Sequence, residues 1–129
     1  MKNTFFTLLL VCFIFTASKC DDTTISAIEE DQRALTTLKQ TIEDLVNTSV
    51  CHENVPCKFI AFGSKACGGP KRYLIYSTSI DVEKLELLVA AYNQKDADYN
   101  TKYGIISDCA FVNPPTSLSC ENNICIALY

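Results

Sequence analysis

Apolar residues recur at Ile25, Ile28, Leu35, Leu38, Ile42 and Leu45, spacings that place them along one side of a helix. "SAIEEDQRALTTLKQTIEDLV", residues 26–46, is therefore expected to be helical, with Ser26 and Glu29 as a capping box. Gln32 interrupts the stripe, and Glu29, Glu30, Asp31, Glu43 and Asp44 make the opposite side acidic, as a solvated face would be. A second stripe runs through Val82, Leu85, Leu88, Val89, Tyr92, Tyr99 and Tyr103. It predicts a helix over 81–104, begun by Asp81 or Ser79 and stopped by Gly104. Between the two helices the period changes. "KFIAFG" (58–63) and "RYLIYS" (72–77) are short, aromatic and β-branched, and apolar on both faces, the pattern of a central hairpin covered on each side.

Three further features complete the predicted fold. "IISDCAFV" (105–112) reads as another strand and "NPP" (113–115) as a rigid break. "SLSCENNICIALY" (117–129) reads as a hairpin turning at Asn122-Asn123, because asparagine tolerates the positive φ of a two-residue turn. That register sets Cys120 opposite Cys125, and the two are expected to bond. The expected class is α+β: two helices packed on a small, mostly antiparallel sheet of about five strands, stapled by disulfides.

The N-terminus changes the picture of where this domain works. Lys2 is followed by an uncharged, mostly apolar run from Phe5 to Phe15, too short to span a bilayer and suited to the core of a signal peptide over residues 1–19. "TASKCDD" resembles the lipoprotein box of bacterial surface lipoproteins such as those of the Bacteroidota, although Lys19 and Ala17 depart from its usual small residue and leucine. The resemblance implies acylation of Cys20, residues 20–25 as anchor and spacer, and residues 26–129 as one disulfide-rich domain. Parity agrees. Eight cysteines lose Cys12 with the leader and Cys20 to the lipid, leaving Cys51, Cys57, Cys67, Cys109, Cys120 and Cys125 as an even set for an oxidising compartment. A soluble secreted form with Cys20 free or bridged to another chain is the alternative.

Charge excludes one class of partner. Removing the leader with Lys2 and Lys19 leaves nine basic against fifteen acidic residues, a net charge of −6. Such a body offers no basic face for nucleic acid. No Cys-x-x-Cys pair is present, so neither a dithiol redox centre nor a zinc site is indicated. His52, the only histidine, lies in the loop "SVCHENVPC" and would have to carry any Ser-His-Asp chemistry alone. No catalytic residue, cofactor or metal is assigned, and the chain is read as a non-enzyme and a monomer. An enzyme acting on envelope polymers and a purely structural envelope role remain alternatives.

The segment "GSKACGGPKRY" carries the candidate binding site. Gly68 and Gly69 open backbone angles closed to other residues, Pro70 fixes the next φ, and a disulfide from Cys67, best to Cys109, would pin the loop. That choice leaves Cys51–Cys57 as a local clasp. Such a loop either turns a tight corner or presents Lys65, Lys71 and Arg72 to a protein partner, its ordering already accomplished by the cross-link. Inhibition of a secreted protease is the specific alternative.

"GSKACGGPKRYLIYS", "LVAAYNQKDADYN", "GIISDCAFVNPP" and "SCENNIC" together resemble a family of small bacterial lipoproteins and secreted proteins of uncharacterised function, with a Cys-Gly-Gly-Pro, Tyr-Leu-x-Tyr-Ser and Ser-Asp-Cys pattern. The likeness spans Cys57 to Cys125. It implies a bacterial, exported protein in which Cys57, Cys67, Cys109, Cys120 and Cys125 belong to a disulfide framework, and it transfers no site residues. The combined expectation is a non-catalytic secreted or envelope-anchored lipoprotein that recognises another protein through loop 63–72, touching the membrane only through its N-terminal lipid.

Overall fold

The computed structural model describes residues 22–129. The expected signal peptide and the expected acylation site at Cys20 lie outside the described residues. Two compact units divide at Glu30/Asp31; in the first, the described residues form the opening turns of helix α1 (Asp22–Asn47). Ser26 lies inside that helix, so the helix starts at Asp22 and not at the capping box expected at Ser26 and Glu29.

The second unit holds the rest of α1, strands β1 (Cys57–Phe62) and β2 (Arg72–Ser77), helix α2 (Val82–Tyr103), and strands β3 (Ser117–Glu121) and β4 (Ile124–Leu128). α+β is therefore the class. The sheet is smaller than expected: four strands form two separate antiparallel hairpins, β1–β2 and β3–β4. Residues 105–112 are not a strand. Cys109 has φ +51°, which breaks an extended run, and the Ala110 carbonyl accepts from Lys65 instead of from a ladder partner.

Both helix signals at α2 are realised. The Asp81 side chain accepts from Lys84 N, and Gly104 closes the helix at φ +60° with its N–H on Asn100 O. Ile60, Phe62, Leu74 and Tyr76 share one face of β1–β2 by register. Phe62, Leu74 and Tyr76 from that face cluster with Leu35 and Ile42 of α1 and with Leu85, Val89 and Tyr92 of α2, forming the core. Phe62 stacks on Tyr92 with centroids 4.4 Å apart. The Arg72 guanidinium lies 5.1 Å from the Phe62 centroid and pairs with Glu43 of α1.

On its other side β1–β2 meets β3–β4, so the first hairpin is central, as its two apolar faces require. The β3–β4 turn falls at Asn122 and Asn123, both left-handed (φ 52° and 65°), and sets Cys120 opposite Cys125. These two cysteines nevertheless do not bond to each other. The disulfides are Cys51–Cys120, Cys57–Cys125 and Cys67–Cys109, with Cα separations of 5.9, 5.7 and 5.5 Å. Neighbours directly across a hairpin project side by side from one face, and each finds a sulfur of the facing layer. The expected Cys120–Cys125 bond and Cys51–Cys57 clasp are thus replaced by two bonds between layers, while Cys67 joins Cys109.

Leu85 is fully buried at the centre of this core. Leu85→Ala is expected to cost about 2–5 kcal/mol, read as a lower denaturant midpoint with disulfides intact; a loss within error would mean that α2 is not seated on β1–β2 as described.

Candidate functional site

The loop joining β1 to β2 carries Lys65, Gly68, Gly69, Pro70 and Lys71, and Arg72 opens β2. The root of the loop is held by α2. Asn93, Asp96 and Asn100 lie three and four residues apart on one side of that helix. Gly63 N donates to Asn93 Oδ1 at 2.7 Å, and Asn93 Nδ2 donates to Ala61 O at 3.1 Å. Ser64 N donates to Asp96 Oδ2 at 2.8 Å, and Asn100 Nδ2 donates to Ser64 O at 2.7 Å. Backbone groups that leave the ladder at the end of β1 are thereby satisfied by side chains.

Asp96 has a second partner: Lys71 Nζ donates to Oδ1 at 2.8 Å. The Asp96 side chain is 4% exposed and that of Lys71 45%. The Asp96 carboxylate is therefore nearly sealed from water and depends on its donors, while the Lys71 side chain remains partly solvated. Beside them, burial pushes the Tyr92 phenol above its ordinary range, and the Asp96 carboxylate adds to that shift.

The return side is held by the segment after α2. Lys65, with a side chain only 11% exposed, donates from Nζ to Asp108 Oδ1 and to Ala110 O, each at 2.7 Å. Two residues from Lys65, the Cys67–Cys109 disulfide closes the same ring. The ammonium beside Asp108 holds its carboxyl below the usual range, assisted by the Ala110 N–H.

The tip closes on itself. Gly68 N donates to Lys65 O, and Lys65 N donates to Gly69 O, both at 2.9 Å. Gly68 and Gly69 have φ +92° and +80°, angles that demand glycine. Ala66, Cys67, Gly68 and Gly69 are exposed, whereas Pro70 is half-buried. The three cations, read from sequence as a positive spot, are each engaged within the chain: Lys65 with Asp108, Lys71 with Asp96, Arg72 with Glu43. What the loop offers outward is a braced turn of small residues.

A shallow groove adjoins the root of the loop, lined among others by Gln32, Lys39, Lys71, Asp96, Tyr99 and Asn100. Lys102 Nζ and Tyr103 Oη both donate to Asp31 Oδ2 at 2.7 Å, linking the helices and lowering the Asp31 carboxyl, chiefly through Lys102. His52 sits elsewhere, exposed in a tight turn where Val55 N donates to its carbonyl. Among the described residues, the one cluster with metal-ligand spacing is Cys51, Cys57 and Cys125, whose sulfurs are already in disulfides.

Sequence reading missed Asn93, Asp96 and Asn100. A signal existed: Asp96 and Asn100 fall where the apolar stripe of α2 continues from Tyr92, and polar residues on a buried stripe imply partners. No protein-family model matches the chain, and neither the curated proteins nor the solved structures yield a match.

Removing Lys71 leaves a buried carboxylate with a single N–H donor. Lys71→Met should therefore destabilise the fold by about 1–3 kcal/mol, and adding Asp96→Asn should recover part of the loss, since the amide still accepts from Ser64 N without needing a counter-ion. A double-mutant cycle on denaturation midpoints measures this; additive losses would show the pair to be uncoupled.

Asp108 and Asp31 both have folded-state pKa values below the ordinary 3.8. Their contribution is complete above that value and is lost as pH falls through the lowered folded-state pKa. Asp108→Asn should accordingly flatten part of the acid limb of the stability profile and leave its shape near neutrality unchanged; an unaltered acid limb would remove Asp108 from the account.

Proposed function

We propose that this protein is a non-catalytic, exported lipoprotein of the cell envelope that recognises another protein through the tip of loop 63–72. One observation carries the reading: the exposed residues 66–69 stand on a root fixed by a disulfide, by Lys65 and by the side-chain clasp of α2. A segment ordered before it meets its partner loses little conformational freedom on binding. Three disulfides support an oxidising compartment, and the leader with its cysteine supports export and anchoring.

The self-bonded tip favours general protein recognition over protease inhibition, which asks for an extended segment laid into a cleft. Small residues at the tip suit a partner surface that approaches the backbone closely.

The test is site-specific photocrosslinking in the native envelope. A photoreactive side chain at Ala66 should capture one discrete partner band, and the same group at Leu87, exposed on α2, should not. Equal capture at both positions, or none at Ala66, would set the reading aside.

A further inference from the structure

The two disulfides between the hairpin layers lie close enough to exchange partners. Cys51, Cys57 and Cys125 have their Sγ atoms all within 4.8 Å of one another, although Cys51 is bonded to Cys120 and Cys57 to Cys125. Cys120 faces Cys125 across the β3–β4 ladder, at a position whose backbone separation suits a disulfide. Access is unequal: Cys120 is exposed and Cys51 is wholly buried. Thiol–disulfide exchange needs an attacking thiolate, a reachable sulfur and a leaving sulfur with somewhere to go. All three are provided here once a thiolate is supplied.

We infer that these four cysteines form two exchangeable disulfides, in which a small-molecule thiol converts the two bonds that tie β3–β4 to Cys51 and to β1 into Cys51–Cys57 and Cys120–Cys125. The external thiolate attacks Cys120 Sγ. The Cys51–Cys120 bond breaks, a mixed disulfide forms on Cys120, and the electron pair leaves on Cys51. The Cys51 thiolate attacks Cys57 Sγ, forming Cys51–Cys57 and expelling Cys125 as thiolate. Cys125 then attacks Cys120 Sγ across the hairpin, forming Cys120–Cys125 and returning the small thiolate. The disulfide count is the same before and after, no oxidant is consumed, and the thiol acts as a catalyst.

The outcome is a change of connection between layers. In the described state β3–β4 is covalently tied to Cys51 and to β1. In the isomer Cys51–Cys57 closes a short loop and Cys120–Cys125 closes the terminal hairpin, so no bond joins the layers. The Cys67–Cys109 disulfide belongs to the recognition loop, apart from this cluster, and takes no part.

The full exported protein is incubated with reduced glutathione at mildly alkaline pH, without oxidant, then acid-quenched, alkylated and cut by a glutamyl endopeptidase. Cleavage after Glu53 and Glu121, both exposed, separates Cys51 from Cys57 and Cys120 from Cys125, and a second digestion by chymotrypsin after the exposed Phe59 and Phe111 separates Cys57 from Cys67 and Cys109 from Cys120, so mass spectrometry distinguishes the pairings. The expected result is an equal, time-dependent loss of the Cys51–Cys120 and Cys57–Cys125 links, a matching rise of Cys51–Cys57 and Cys120–Cys125, and an unchanged Cys67–Cys109 link. Fixed pairing, or scrambling that includes Cys67 and Cys109 to the same degree, overturns the inference. In Cys57→Ser/Cys125→Ser the relay is cut after its first step, so glutathione should accumulate on Cys120; accumulation on Cys51 overturns the order of attack.

Discussion

The terminal hairpin depends on covalent attachment. The buried apolar residues come from α1, β1, β2 and α2, with Cys51 and Pro115 from connecting segments, and none from β3 or β4. On the helix side of β1–β2, stability comes from packed Leu, Ile, Val, Phe and Tyr side chains, the ordinary source for a small domain. On the other side the apolar contribution is slight. Two disulfides and the Cys51 N–H donating to Asn123 O hold the hairpin in place. Each bond closes a chain segment of more than sixty residues, the regime in which a cross-link restricts the unfolded chain strongly.

The serines beneath that layer show the same economy of apolar surface. Ser77, wholly buried beside Cys57 in the ladder, donates to Val50 O at 2.7 Å, while Ser79 Oγ accepts from Val50 N at 2.8 Å. The strand carrying the core is thus fixed to the residue just before Cys51. Packing, polar clasp and cross-link meet along β1 and β2, and the braced loop between them springs from the far end of the same two strands.

Much of this was legible in the chain. The second helix was marked at both ends by Asp81 and Gly104, the central hairpin by two strands apolar on both faces, and the last hairpin by Asn122-Asn123. Legibility failed where a residue's role is set by a distant segment. Residues 105–112 have the composition of a strand, yet Lys65 and Cys67, more than forty positions earlier, claim Ala110 O and Cys109. Cys120 and Cys125 were placed correctly in register and paired incorrectly, because the sulfurs that reach them belong to a layer whose packing no local pattern announces. Lys65, Lys71 and Arg72 looked available since their carboxylate partners lie on α1, on α2 and beyond it. The polar stripe of α2 is the one feature whose sequence signal was present and overlooked.

Gly63 gives this arrangement a direction in which it can vary. A methyl group there would stand 2.9 Å from Lys71 Cδ at a backbone φ of +78°, whereas nothing lies within 4 Å of the corresponding positions at Gly68 and Gly69. The root of the loop is consequently closed to a new side chain at Gly63 by crowding, and Gly68 and Gly69 at the tip are limited only by their backbone angles. Diversification during evolution, or in a library, would therefore be channelled to a few outermost positions, allowing the outer surface to drift while the framework beneath it keeps one solution.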